Sequence, residues 1–189
     1  MKLVLSALAA AITAMPAMAD GLYINGGANI VEIDGEVLSN PDGQYQATML
    51  FANAGLDFTD HLGAEFDIQA GISDAEETDD FYMTDDRIRI NSLAGFYAKL
   101  GVPLADILWV GGRVGAVGGD VRVSIRDQLT GDTFRRSGEV AGLGYGGVAT
   151  LDFADGIFMR FDYTRYALED FDGVPFDADG YSLSLGMRF

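Results

Sequence analysis

The residues of this sequence that could do chemistry are charged side chains lying one step out of phase with apolar neighbours. Glu65 and Asp67, Arg87 and Arg89, Lys99, Arg113, Arg160 and Asp162, and Arg188 each alternate with Leu, Ile, Val, Phe, Ala or Met. On an extended chain that parity gathers the charges on one face and the apolar residues on the other. If the charged faces meet inside a narrow enclosure, acid must pair with base, because an unpaired buried charge is strongly destabilising. A fixed plug of ion pairs is one outcome and the expected one; a gated pore, in which the pairs exchange, is the alternative.

Three further groups could carry chemistry. Residues 74–86 hold seven carboxylates, interrupted by Phe81, Tyr82 and Met83. Hard cations favour oxygen ligands, but this spacing lacks the alternate ligands and central glycine of a calcium loop, so a solvated charge run is expected and no metal site is assigned. Arg122, Arg126, Arg135 and Arg136 form a basic cluster with few acids among them. Guanidinium groups bind phosphate in a bidentate fashion, so these four are a candidate contact for phosphate groups or another ligand, with pairing inside the loop as the plainer reading. His61 is the lone histidine and falls in a short turn, which disfavours a triad with a histidine base. The glycine-rich runs 111–119 and 142–147 lack the Lys-Ser/Thr of a phosphate loop. No catalytic residue and no cofactor are expected.

The elements that must position these groups are strands. The last ten residues, GYSLSLGMRF, alternate strictly: Tyr181, Leu183, Leu185, Met187 and Phe189 against Ser182, Ser184, Gly186 and Arg188. The same period recurs over residues 21–33, 44–58, 62–73, 87–101, 107–118, 139–153 and 157–168, which makes eight strands. Ile88, Ile90, Phe96 and Leu100 are expected outside, with Arg87, Arg89, Tyr97 and Lys99 inside. Tyr45, Met49 and Phe51 break the phase of the second strand, and a bulge near Asn53 is considered there. Residues 121–136 continue past membrane length as a hairpin turning at Thr130-Gly131-Asp132. Long polar connections (34–43, 74–86, the hairpin, 169–178) alternate with short turns (59–61, 102–106, 154–156). Residues 54–68, AGLDFTDHLGAEFDI, align without gaps to 149–163, ATLDFADGIFMRFDY, which makes Glu65 and Arg160 equivalent positions of two hairpins and members of one network, with their pairing left open.

Composition agrees. The 189 residues carry a formal charge of −17, yet the mean hydropathy is +0.14. A barrel reconciles the two by facing apolar residues to lipid and leaving acids in loops. The negative charge argues against nucleic acid. Cysteine is absent, so no disulfide framework exists. Residues 1–19 read as a cleaved signal peptide: Lys2, an apolar stretch, then Ala17-Met18-Ala19 before Asp20. Residues 20–189 are then one domain.

With eight alternating strands and a terminal aromatic, the chain resembles the small eight-stranded OmpA/OmpX-like and opacity-type outer-membrane barrels. The resemblance implies an all-β, eight-stranded antiparallel up-and-down transmembrane β-barrel in the cell outer membrane of a Gram-negative bacterium. It also implies recognition of Phe189 by the barrel-assembly machinery and contact with outer-membrane lipid and lipopolysaccharide. A monomer is expected. The function it implies is envelope integrity or surface contact through the loops, without enzymatic activity; a narrow channel and a loop-based adhesin or ligand-binding protein are the alternatives.

Overall fold

A computed structural model describes residues 21–34, 44–79, 84–127, 129–154, 156–170 and 175–189. The expected signal peptide and Phe81, Tyr82 and Met83 lie outside the described residues.

Nine strands form a closed antiparallel sheet: β1 (Leu22–Asp34), β2 (Gln44–Asp57), β3 (Leu62–Gly71), β4 (Ala75–Asp79), β5 (Thr84–Ala105), β6 (Leu108–Asp127), β7 (Thr133–Ala154), β8 (Ile157–Asp170) and β9 (Pro175–Arg188). Sequential neighbours pair all the way round. β1 meets β9, and β5 meets β3 at its lower half and β4 at its upper half. β3 and β4 therefore share one position, and the barrel is eight-stranded. Following paired residues once round leads from Tyr23 through Gly55, Glu65, Tyr97, Gly115, Gly144, Tyr166 and Ala178 to Ile33, ten residues further along β1. That stagger tilts the strands and leaves an interior about as wide as its side chains. Closure pairs the backbone polar groups that lipid could not satisfy.

Period-two alternation decides which side chains go where. Phe96, Leu100, Val114, Leu143, Phe161, Leu183 and Leu185 are among the exposed apolar side chains on the outside. Glycines in the walls make room for the inner ones. A Cβ on Gly95 would come within 2.5 Å of the Tyr97 ring, and one on Gly144 within 3.0 Å, so part of the 142–147 glycine run gives Tyr97 its place.

Three expectations need correcting. The β1–β2 register runs unbroken from Leu22–Leu56 to Asp34–Gln44, so there is no bulge at Asn53; Tyr45, Ala47 and Met49 point inward instead. Residues 75–79, expected in a loop, form β4, because the upper half of β5 offers a free edge to pair with.

The third correction concerns Arg87 and Arg89. Between Ile90 and Ser92 the β5–β6 register shifts by one residue, which leaves Asn91 as a bulge. An extra residue reverses the faces of everything beyond it. Ile88 and Ile90 are therefore buried inside, and Arg87 and Arg89 stand outside, 54% and 47% exposed. Since the chain has no native cysteine, single cysteines report this directly. Arg89→Cys should react with a water-soluble maleimide in the folded barrel, and Ile88→Cys should stay protected until the protein is unfolded.

Candidate functional site

The interior has two storeys. The lower one, towards the short turns, is charged. Arg160, 2% exposed, lies at its centre. Its Nη1 and Nη2 donate to Glu65 Oε1 and Oε2 at 2.6 and 2.8 Å. Its Nε donates to Asp162 Oδ1 at 2.9 Å, and its Nη2 to the same oxygen at 2.6 Å. One planar guanidinium thus holds two carboxylates, the geometry for which arginine is suited. Tyr23 donates its hydroxyl to Glu65.

Arg113 extends the network. It stands 3.6 Å from Asp67, 3.7 Å from Glu65 and 3.8 Å from Asp162, donates to Thr164 Oγ1 at 2.6 Å, and lies over the Tyr97 ring at 4.4 Å. Lys99 reaches Asp57 at 2.7 Å and Glu65 at 3.8 Å, between the rings of Tyr23 and Trp109. Three acids (Glu65, Asp67, Asp162) balance three bases (Lys99, Arg113, Arg160), all buried. The alternation of β3, β5, β6 and β8 delivers each of them to the same enclosed face.

The remaining charges of the expected network lie elsewhere. Arg188 is at the mouth, paired with Asp152 at 3.1 Å. Arg87 and Arg89 reach Asp74 from outside, at 3.7 and 3.5 Å. The mouth itself is an open vestibule of about 530 Å³ bordered by Asp57, Lys99, Trp109, Asp152 and Arg188. Trp109 turns into it and donates its Nε1–H to the Asp60 carbonyl at 2.9 Å. His61 sits in the β2–β3 turn, its Nδ1 3.0 Å from the Gly101 carbonyl oxygen. Phe189 closes the β1–β9 seam, its backbone N–H donating to the Leu22 carbonyl at 2.8 Å.

The upper storey is apolar. Val31, Ile33, Tyr45, Met49, Ile88, Ile90, Leu93, Val117, Val121, Val140 and Leu168 form one buried cluster above the charges. Sequence reasoning missed it. The signal was the off-phase Tyr45 and Met49, which have no reason to alternate with apolar neighbours unless both faces are dry.

From the level of this core upward, β4, β5, β6 and the first third of β7 continue as a four-stranded sheet projecting from the barrel, with Ala75, Ile88, Ile90 and Val121 at its base in the core. Arg89 lies opposite Arg122, and Arg122 opposite Ser137; Arg87 and Arg135 both lie opposite Ser124. Residues directly opposite share a face. Arg87, Arg89, Arg122 and Arg135 therefore stand on the outer side of the sheet, and Arg126, two residues beyond Ser124, continues it. Arg122 Nε donates to Ser137 Oγ at 3.3 Å. Arg136, opposite Val123, takes the inner side. Like-charged residues facing each other across strands are destabilising unless something anionic compensates. Asp74 does so for Arg87 and Arg89.

A closed barrel with an apolar outer surface, a filled interior and a sheet projecting on one side defines an integral membrane barrel of the bacterial outer membrane. Residues 3–189 match the family model for the outer membrane protein beta-barrel domain, and the chain belongs to that family. Among solved structures it is similar to Ail, the attachment invasion locus protein of Yersinia pestis, at a TM-score of 0.55 and 18% identity over 90% of this chain and 99% of that one. Neisserial surface protein A gives a TM-score of 0.58 at 15% identity, covering 90% of this chain and 98% of that one. A major outer membrane protein of Thermus thermophilus gives 0.56 at 13% identity, covering 89% and 99%. No curated protein sequence matches the chain.

The lower storey predicts an asymmetric response to mutation. Glu65→Gln leaves Arg160 short of one buried counter-charge and should cost about 3–5 kcal/mol. Glu65→Leu combined with Arg160→Leu removes one acid and one base together, leaves Asp67 and Asp162 against Lys99 and Arg113, and should cost less than Glu65→Gln alone. Urea unfolding in detergent micelles, followed by tryptophan fluorescence, measures both.

Proposed function

We propose that this protein is a non-conducting outer-membrane barrel that makes surface contacts with anionic partners through its projecting sheet. The observation that carries this reading is the separation of its cations. Of twelve Lys and Arg residues, six (Arg87, Arg89, Arg122, Arg126, Arg135 and Arg136) stand on the projecting sheet, five of them on its outer side, where Glu76 lies opposite Arg87 and Asp85 opposite Arg126. Three more (Lys99, Arg113 and Arg160) are buried and spoken for by carboxylates.

The interior supports a plug. Ions crossing the barrel would have to pull apart the Arg160 pairs and then enter the apolar storey. A gate working by exchange of the pairs would need the lower storey to rearrange beneath a packed hydrophobic cap, which gives the channel reading little support. Envelope integrity follows from the same closed wall. The outer arginine face suits phosphate or sulfate groups, whose planar pairs of oxygens match guanidinium; lipopolysaccharide phosphates are one source within reach of a sheet rising from the outer leaflet. The Ail structure was determined in complex with the heparin analogue sucrose octasulfate, which makes that compound a suitable probe.

In planar bilayers the purified barrel should be silent. Discrete openings, altered in size or frequency in Arg160→Ala, would overturn the plug. In nanodiscs it should bind sucrose octasulfate with an affinity that falls as salt rises. Arg89→Gln with Arg122→Gln removes both charges without opposing two like ones, and should weaken that binding at least tenfold while leaving the unfolding midpoint nearly unchanged.

A further inference from the structure

The vestibule of about 530 Å³ opens at the end of the barrel that carries the short turns, which is the periplasmic side of such a barrel. Pockets for small ligands measure about 300–1,000 Å³. Trp109, the lone tryptophan, forms one wall. Its Nε1–H is tied to the Asp60 carbonyl at 2.9 Å, and a Cβ on Gly101 or Gly111 would strike its ring, so both glycines give the indole its seat. Two cations line the space and each has a carboxylate: Lys99 meets Asp57 at 2.7 Å, and Arg188 meets Asp152 at 3.1 Å. Two more carboxylates, Asp60 and Asp106, line it exposed and without an ion pair among the described residues. They come from the β2–β3 and β5–β6 turns, which are neighbours at the mouth because β3 pairs with β5. Thr150 also lines the space. It is only 5% exposed, yet its hydroxyl bonds to no group among the described residues. Side chains so buried are ordinarily hydrogen-bonded.

We propose that this vestibule binds a small organic cation, a short methylene chain with an amine at each end. Four carboxylates border it against two cations, which leaves it two charges negative. An anion would find Lys99 and Arg188 both taken. An ammonium group at each end donates to Asp60 and Asp106, and the Thr150 oxygen accepts from one of them. The methylenes lie against Trp109, Pro103 and Leu108, which border the same space. A bare metal ion gains nothing from those walls, and no group of three acids or histidines able to hold one occurs among the described residues. A recess with one prevailing sign also focuses its field, so these carboxylates attract more strongly than isolated surface charges do. The site lies at the opposite end of the barrel from the arginine face and does not depend on it.

Trp109 serves as the reporter. The barrel in nanodiscs is titrated with 1,4-diaminobutane, and tryptophan fluorescence is read beside isothermal titration calorimetry. Both should show saturable binding. The uncharged 1,4-butanediol should not bind, and magnesium chloride should not displace the diamine at equal concentration. Asp60→Asn with Asp106→Asn should weaken binding by about tenfold or more, since each lost carboxylate removes a charged hydrogen bond. Both residues are exposed, so the unfolding midpoint should hold and show that the barrel is intact. Thr150→Val should weaken binding by roughly fivefold. Silence of the diamine in both measurements would overturn the proposal. So would an equal response to the diol, which would make the pocket merely apolar, or full binding by the Asp60→Asn, Asp106→Asn variant. Binding of a lysine-rich peptide without binding of the diamine would overturn it in favour of a protein contact.

Discussion

The buried guanidinium of Arg160 is the group around which the lower half of this barrel is arranged. Taken out of water, its charge requires neutralisation by hydrogen-bonded carboxylates. Glu65 from β3 and Asp162 from β8 supply it. Each carboxylate has oxygens to spare, and these recruit Tyr23, Arg113 and Ser182. Arg113 in turn brings in Asp67 and Thr164. The network reaches round the wall and fixes the distance between strands that are far apart in sequence. Isolated surface pairs do little of this kind; an enclosed set of three acids and three bases has few other ways to be satisfied.

The apolar storey above it divides the molecule differently. Below the cap, polar side chains specify one arrangement. Within it, Ile88, Ile90, Met49 and Val121 pack as the core of a soluble β-protein would, at the base of the sheet that β5, β6 and β7 continue. The basic residues divide along the same line, with one set neutralised inside and another held on the projecting sheet. A chain whose overall charge is strongly negative thus sets five of its arginines on the outer side of that sheet, where Glu76 lies opposite Arg87 and Asp85 opposite Arg126.

Much of this is legible in the sequence, and the parts that are not have identifiable causes. Parity alone assigns Glu65, Asp67, Lys99, Arg113, Arg160 and Asp162 inward, because each lies in a run where one phase is apolar throughout. Arg87 and Arg89 lie in a run that looks the same. The extra residue at Asn91 has no glycine to mark it, and one unpaired residue is enough to reverse both. The same reversal hides Ile88 and Ile90 from a sequence-based core. β4 reads as loop because its acids have low strand propensity, but an available partner edge outweighs propensity. In the interior the sequence says which charges face inward. It does not say that Arg160 takes Glu65 and Asp162 while Arg113 takes a more distant share of each, since that depends on the stagger of ten residues around the ring.

The single residue added at Asn91 acts as a phase shifter between two parts of one strand. Below it, the odd-numbered positions of β5 read the barrel interior; above it, the even-numbered ones do. Sequence change on either side is then free of the other: a substitution above the bulge alters the projecting sheet without touching the lipid-facing phase. Losing or gaining one residue at that point would turn the upper part of β5 inside out in a single step. The outer surface of this protein can therefore diversify on a membrane-spanning wall that stays the same.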